Sequence, residues 1–248
     1  MSNVSRYVRQ RLYRRGWAVS RVAKHVPGGI DLEMDLPVVI DSSAPIIYDV
    51  GANVGQSIEM FRRVFSSPRI VSFEPSEGSF DRLKAKYDAP DVVLRQVALG
   101  SRAESRSFRE FGQSTMNSLL DIDDRNEHRH RHLQVQRVTT VVTATLDSER
   151  VEQGTSHIDL LKVDTQGFDL EVLHGARQSF AEHRIGAVLV ELLFLPVYKR
   201  QCDGMDIVAF LRTQGFALVD FYERSREDVR LAYCTALFKL HRDVEGST

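Results

Sequence analysis

The sequence predicts an α/β protein with a doubly wound, mostly parallel sheet, and three features support this prediction. Short apolar stretches alternate with segments of helical periodicity, which is typical of βαβ units. The first apolar stretch, residues 46–50, runs into a loop (residues 51–55, the glycine loop) with a glycine at each end. The last two apolar stretches are joined by a link too short for a crossover helix, so they predict an antiparallel hairpin.

The first half of the chain predicts three strands and two helices. The predicted strands are 46–50, 69–75 and 92–100, and the predicted helices are 55–65 and 76–87. Ile58 and Phe61 lie on one face of the first helix at helical spacing. Ser76 is placed to cap the second helix at its N-terminus.

The second half continues the alternation. The predicted strands are 157–167, 185–194, 216–223 and 232–240, and the predicted helices are 169–180 and 205–214. Gly215 closes the last of these helices, since glycine commonly follows a helix C-terminus.

The middle of the chain, Ser105 to Val142, has a different pattern. Its short alternating stretches predict a β-rich insertion, either a hairpin or a cover over the edge of the sheet. His128, His130 and His132 within it would share one face of a strand and could bind a metal ion. The alternative is a solvated polar strand or loop, which the interleaved arginines favour.

Composition excludes several classes of protein. The 248 residues carry a net charge of −1, so the molecule as a whole is not built to coat nucleic acid. Two cysteines, Cys202 and Cys234, are too few for a disulfide framework. We expect a cytoplasmic protein, because no secretory signal is recognised and no apolar run approaches the ~20 residues of a membrane span.

Positive charge is concentrated at the N-terminus. Seven Arg and Lys residues and no acid occur between Met1 and Lys24. The interleaved apolar residues predict a basic helical segment within residues 1–45, set apart from a domain at 46–248. Such a helix could contact a membrane surface or a polyanion. Alternatively, it is a solvated helix that caps the domain or forms a homodimer contact.

The glycine loop has the pattern of a nucleotide-binding corner. Asp49 ends the first strand, and Gly51, Asn53 and Gly55 follow it before the first helix. Glu74 ends the second strand at the spacing where an acid holds a ribose hydroxyl pair. Because Asn53 stands where a dinucleotide site needs its second glycine, the loop disfavours NAD. It suits S-adenosylmethionine (SAM), which offers an ammonium, a carboxylate and a ribose instead of a pyrophosphate.

The sequence resembles the FkbM family of SAM-dependent methyltransferases. The resemblance runs from about residue 46 to 195 and rests on the pieces DVGANVGQS (49–57), VSFEPSEGSF (71–80), VALG (97–100), TMNSLL (115–120), TLD (145–147), IDLLKVDTQGFDLEVLHGA (158–176) and LVELLF (189–194). It implies a class I methyltransferase fold with seven strands, the last one antiparallel. It also implies methylation of a hydroxyl on a sugar, glycan, glycolipid or other secondary metabolite.

The resemblance also assigns residues to the cofactor. It implies that Asp49, Gly51, Asn53 and Gly55 line the methionine end of SAM, that Glu74 binds the ribose, and that Ala98 and Leu99 lie near the adenine. Ser118, in the TMNSLL piece, either closes over the cofactor or belongs to a polar turn.

The candidate catalytic residues are Asp164, Glu191 and Lys162, which end two neighbouring predicted strands. Asp164 would act as the general base or orient the acceptor, with Glu191 as its partner. Lys162 would pair with these acids or hold an anionic part of the acceptor. Asp164 and Glu191 could also bind Mg²⁺, since hard cations prefer carboxylate oxygens. The alternative is a buried network of Lys162 and the acids that only closes the strand ends.

Three other functions remain open at this point. One is an RNA methyltransferase that binds its substrate through the basic N-terminus. Another is an NAD-linked oxidoreductase, which Asn53 in the loop disfavours. The third is a non-enzymatic module that keeps the fold, which the presence of both Glu74 and Asp164 disfavours.

Overall fold

The computed structural model describes Leu12, Arg15 and residues 29–123 and 134–241. The predicted basic N-terminal helix, apart from those two residues, and the three histidines at 128–132 lie outside the described residues. The strands are β1 (Ile46–Val50), β2 (Arg69–Phe73), β3 (Val92–Arg95), β4 (Ala98–Leu99), β5 (Glu104–Phe111), β6 (Val135–Ala144), β7 (Leu160–Val163), β8 (Ala187–Leu193), β9 (Phe216–Glu227) and β10 (Arg230–Leu240). The α-helices are α1 (Leu32–Ile40), α2 (Gln56–Val64), α3 (Glu77–Tyr87), α4 (Leu146–Glu152), α5 (Asp169–His174), α6 (Arg177–Ala181) and α7 (Gly204–Thr213).

The main sheet has seven strands in the order β3-β2-β1-β7-β8-β10-β9. β1 pairs in parallel with β2 and with β7, and β8 pairs in parallel with β7. β10 pairs antiparallel with both β8 and β9. The predicted doubly wound fold with a C-terminal antiparallel hairpin is therefore confirmed.

Helices cover both faces of the main sheet. One apolar cluster joins α1, α2 and α3 to the sheet through residues such as Leu36, Phe61 and Leu83. A second cluster on the opposite face joins α4, α5, α6 and α7 through residues such as Leu146 and Phe180. Because parallel strands need cover on both faces, this two-sided burial explains their nearly continuous apolar sequence.

The β-rich insertion forms a second sheet in the order β4-β6-β5. β5 and β6 pair antiparallel, while the short β4 pairs in parallel with β6. Phe108 and Phe111 of β5 pack in a third apolar cluster with Leu193 at the end of β8. The insertion therefore contacts the carboxyl end of the main sheet.

Several predicted elements differ from the structure. The strand predicted at 92–100 is divided, because β3 stays in the main sheet and β4 joins the second sheet. The helix predicted at 169–180 is also divided, into α5 and α6. It breaks at Gly175, where a Cβ would overlap the carbonyl oxygen of Gly100. α4 was not predicted; it begins at Thr145, whose side chain accepts from the backbone N–H of Ser148.

The C-terminal hairpin is longer than predicted. Residues of the charged link extend β9 to Glu227 and β10 begins at Arg230, so only Asp228 and Val229 form the turn. Asp228 has a φ of 54°, the left-handed conformation that two-residue hairpin turns use.

No helix among the described residues is long and apolar enough to cross a membrane. The cytoplasmic location, the homodimer and the domain boundary at residue 46 stay predictions.

The first testable prediction concerns α1. Leu36 is fully buried in the cluster that includes α2, whereas Met34 on the same helix is 72% exposed. We expect Leu36→Ala to lower the free energy of unfolding by about 2–5 kcal/mol, because truncating a buried leucine leaves a cavity. Met34→Ala should change it by less than about 0.5 kcal/mol. Urea unfolding of both variants measures this; equal effects would contradict the packing of α1.

A second prediction concerns Gly51, at the start of the glycine loop. Its φ is +80°, and a Cβ there would overlap the backbone carbonyl oxygen of Asp164. Gly51→Ala should therefore lower the free energy of unfolding by at least about 1–2 kcal/mol.

Gly78 is the matched control, since it lies in α3 with open space around it. Gly78→Ala should leave stability unchanged or raise it by up to about 1 kcal/mol. A Gly51→Ala protein as stable as the Gly78→Ala protein would show that the loop does not have this conformation.

Candidate functional site

A cavity of about 870 Å³ lies at the carboxyl ends of the central strands. Open α/β sheets bind ligands at this position, where the strand order reverses beside the first strand. The glycine loop, the end of β2, the loop after β7 and the end of β8 all contribute to its wall. The cavity therefore brings together the loop, Glu74 and the candidate catalytic residues.

Asp49 lies beneath the glycine loop and is fully buried. Its Oδ2 accepts hydrogen bonds from the hydroxyls of Ser57 at 2.6 Å and Ser72 at 3.3 Å. Its Oδ1 lies 3.1 Å from the ammonium of Lys162. The acid that was predicted to meet the ammonium of a ligand is therefore paired with an ammonium of the chain itself.

Lys162 links this acid to the loop. Its Nζ donates to the carbonyl oxygen of Gly51 at 3.0 Å and lies 3.9 Å from Asp164 Oδ2. Burial alone would lower the pKa of Lys162, but the negative charges of Asp49 and Asp164 outweigh it and the pKa is raised. The lysine therefore keeps its charge and holds the loop in place.

Glu74 directly follows β2 and lines the cavity. One oxygen accepts from the backbone N–H of Asn53 at 2.9 Å, and the other accepts from that of Ser76 at 2.8 Å. Burial raises the pKa of Glu74 to about 7, against the lowering effect of these two hydrogen bonds. An ionised carboxylate has about four acceptor sites, so two remain for a ligand.

Asn53 joins the glycine loop to the insertion. Its backbone is left-handed, with a φ of 48°. Its Oδ1 accepts from the hydroxyl of Ser79 at 3.4 Å and from that of Ser114 at 3.0 Å. Ser114 begins a single 3₁₀ turn, Ser114–Met116, that also lines the cavity.

Five of the eight residues predicted to bind the cofactor line this cavity: Gly51, Asn53, Glu74, Ala98 and Leu99. The other three are Asp49, Gly55 and Ser118, which lie behind its wall. The carbonyl oxygen of Gly55 accepts from the hydroxyl of Tyr87. Ser118 donates its hydroxyl to the carbonyl oxygen of Gln166 at 2.9 Å, so it contacts the loop after β7.

Lys162, Asp164 and Glu191 also line the cavity. The side-chain amide nitrogen of Gln166 lies between the two acids, donating to Asp164 Oδ1 at 2.9 Å and to Glu191 Oε2 at 3.0 Å. Burial, followed by the charges of Asp164 and Asp169, raises the pKa of Glu191 well above its usual range. A carboxyl with a raised pKa is suited to accept a proton near neutral pH.

The predicted Mg²⁺ site finds no support in this geometry. The amide of Gln166 takes the position between Asp164 and Glu191 that a shared cation would need. Within residues 29–123 and 134–241, no group of three or more His, Cys, Asp and Glu side chains is arranged to hold a metal ion.

Asp169 is the first residue of α5 but does not cap it. Phe168 occupies the N-cap position of α5. The buried carboxylate of Asp169 instead accepts from the backbone N–H groups of Thr165 and Gly167, at 2.9 and 3.1 Å. Burial, with the charge of Asp164, raises the pKa of Asp169 to about 6. Asp169 therefore holds the loop that carries Gln166.

The sequence did not single out Tyr198 or Ser114. Tyr198 is almost fully buried, and the single proton of its hydroxyl is shared between two acceptors, Gln166 Oε1 at 3.1 Å and the carbonyl oxygen of Met116 at 2.9 Å. Tyr198 lies in the loop after β8, and Ser114 lies in the turn between β5 and β6. The sequence around them has no pattern that predicts a long-range contact.

Two segments far apart in the sequence form the outer wall of the cavity. Leu32 and Glu33 come from α1, and Tyr233 and Thr235 come from β10. Glu33 forms a bidentate ion pair with Arg63 of α2, which also lines the cavity. The cavity thus extends well beyond the glycine loop.

Comparison with known proteins agrees with this geometry. The chain is 27% identical to methyltransferase sdnD of Sordaria araneosa, over 70% of this chain and 74% of that protein. It is 24% identical to 2-O-methyltransferase NoeI of Sinorhizobium fredii, over 76% of this chain and 79% of that protein.

A solved structure has the same fold. The FkbM methyltransferase from Methylobacillus flagellatus superposes with a TM-score of 0.51 at 16% identity. The superposition covers 79% of this chain but 44% of that protein, so this chain spans less than half of its length.

The family model of the methyltransferase FkbM domain matches residues 49–218, which include the glycine loop, Glu74, Asp164 and Glu191. The chain therefore belongs to the FkbM family of methyltransferases.

Proposed function

We propose that this methyltransferase transfers a methyl group from SAM to a hydroxyl of a sugar, a glycan or glycolipid, or another secondary metabolite. One observation carries the proposal: a single cavity joins the glycine loop and Glu74 to a pair of acids, Asp164 and Glu191. Such a cavity has room for a cofactor beside an acceptor. Membership of the FkbM family excludes the oxidoreductase alternative.

The residues at the loop end of the cavity fit SAM. Gly51 lines the cavity with its backbone, and the absence of a Cβ lets it pack against the carbonyl oxygen of Asp164. Glu74 has acceptor capacity left for two ribose hydroxyls, and buried Ala98 and Leu99 offer an apolar wall for a base. The N-terminus of α2 favours a carboxylate. When bound, SAM supplies the methyl group on a sulfonium.

The acids at the other end fit removal of a proton from an acceptor hydroxyl. A carboxylate of the Asp164–Glu191 pair would take the proton from the acceptor hydroxyl while the hydroxyl oxygen bonds to the methyl carbon and the sulfonium sulfur leaves as a neutral thioether. Because its pKa is raised, Glu191 is a stronger base than an ordinary glutamate. Lys162, with its charge held by Asp49, orients the loop and takes no part in the proton transfer.

The charge of the cavity favours an uncharged or cationic acceptor. Glu223 and Glu227 line it together with Asp164 and Glu191. Of its described lining residues, those with positive charge are Lys162 and Arg63, and each is paired with an acid. A polyanion such as RNA would meet net negative charge there, so the RNA alternative is not favoured. The name of NoeI, a 2-O-methyltransferase, supports oxygen as the acceptor atom.

The proposal is tested by methyl transfer. The protein is incubated with SAM carrying a labelled methyl group and a panel of neutral sugars, oligosaccharides and hydroxylated small molecules, with RNA as a separate arm. We expect label on a neutral hydroxyl compound, and a kcat at least about 100-fold lower for Glu191→Gln. Glu182→Gln, on the exposed surface, is the matched control. Transfer to RNA alone, or to no member of the panel, would contradict the proposal.

Glu74 gives a test that needs no acceptor. Glu74→Ala should weaken the binding of S-adenosylhomocysteine about 10- to 100-fold, because hydrogen bonds to a charged acceptor contribute about 1.5–3 kcal/mol. Glu77→Ala, three residues later and exposed, should bind as wild type does. Calorimetric titration measures both; equal affinities in the two variants would place the ribose elsewhere.

The raised pKa of Glu74 adds a dependence on pH to the same titration. The ionised carboxylate accepts ribose hydroxyls, so affinity should be full above pH 7 and fall as the pH is lowered through about 7. In Glu74→Gln this fall should disappear, since the amide does not titrate. A fall that persists in the variant would assign the titration to another group.

A further inference from the structure

Gln166 has a conformation that costs free energy. Its φ is +54°, in the left-handed region, and Gly167 follows with a φ of +89°. A residue other than glycine in this region costs about 1–3 kcal/mol and persists only where its surroundings hold it. Strain of this kind at the edge of a cavity points to a role for the side chain that the backbone presents.

Contacts on three sides fix Gln166. Its carbonyl oxygen accepts from the hydroxyl of Ser118 at 2.9 Å. Its side-chain oxygen accepts from the hydroxyl of Tyr198 at 3.1 Å, while the amide nitrogen faces the two acids. The two acids determine the amide orientation, because a flipped amide would aim its oxygen at both carboxylates.

The two acids differ in what their second carboxylate oxygen contacts. Each acid has one oxygen occupied by Gln166 Nε2, at 2.9 Å for Asp164 and 3.0 Å for Glu191. The other oxygen of Asp164 faces the ammonium of Lys162 at 3.9 Å. Within the described part of the chain, Glu191 Oε1 accepts no hydrogen bond, and its residue lines the cavity.

We propose that Gln166 is a positioning residue that holds Asp164 and Glu191 so that Glu191 Oε1 meets the acceptor hydroxyl. Ser118 and Tyr198 hold Gln166 in turn, and Ser118 is itself bridged to Arg109 of β5, so the insertion supports the catalytic assembly. The inference rests on the proposed function, because it assumes that this pair of acids takes the proton. It adds a residue that acts on the base without itself taking the proton.

The first experiment follows the side-chain amide of Gln166 by NMR in protein labelled with ¹⁵N-glutamine. Its signal is assigned by its loss in Gln166→Met. Both amide protons are held by carboxylates, so we expect them to exchange with water at least tenfold more slowly than those of Gln178. Gln178 is the matched control because its amide donates to a single exposed acid, Glu182. Asp164→Ala and Glu191→Ala should each release one of the two protons.

The second experiment separates positioning from structural support. In the methyl-transfer assay above, Gln166→Met should lower kcat about 100-fold, because small displacements of reacting groups cost this much. Its KM for SAM should stay within threefold of the wild-type value, and Gln178→Met should match wild type in both. A KM that rises with an unchanged kcat would indicate structural support only and would overturn the inference.

The two proposals fail in different ways. If the wild-type protein does not bind S-adenosylhomocysteine in the calorimetric titration, the proposed function fails whatever the NMR signals show. If it binds but the Gln166 amide protons exchange as fast as those of Gln178, the inference is wrong and the proposed function stands.

Discussion

The ion pair between Lys162 and Asp49 is the interaction on which the rest of the site depends. The lysine comes from β7 and the acid from β1, and the same ammonium binds the loop carbonyl at Gly51. A buried charge is expensive unless it is paired, so removing either partner would leave an uncompensated charge that costs about 3–5 kcal/mol. The pair therefore fixes the position of the glycine loop relative to β7, the strand that Asp164 follows.

The second sheet completes the site from outside the main sheet. Its turn reaches Asn53 through Ser114 and Tyr198 through Met116, and the segment that follows the turn reaches Gln166 through Ser118. These three hydrogen bonds go to the glycine loop, to Tyr198 in the loop after β8, and to the loop after β7. A displacement of this turn would therefore shift the glycine loop and the two acids together.

The sequence was a good guide where local pattern decides the structure. Asp49 and Glu74 could be placed because each ends an apolar strand, and the ends of parallel strands meet at one edge of the sheet. The close approach of Gly175 to Gly100 could not be foreseen, because the two residues are 75 positions apart along the chain. The position of Gln166 between the two acids could not be foreseen either, since its strained backbone and its contact with Tyr198 are properties of the folded molecule.

The outer wall and the floor of the cavity are formed by different parts of the chain. Leu32 and Glu33 precede the stretch matched by the family model, and Tyr233 and Thr235 follow it. The matched stretch holds the glycine loop, Glu74 and both acids, whereas the two flanking segments enclose the space around them. In this chain, a substitution in either flanking segment can therefore reshape the space beside the glycine loop without altering the groups proposed to perform the transfer.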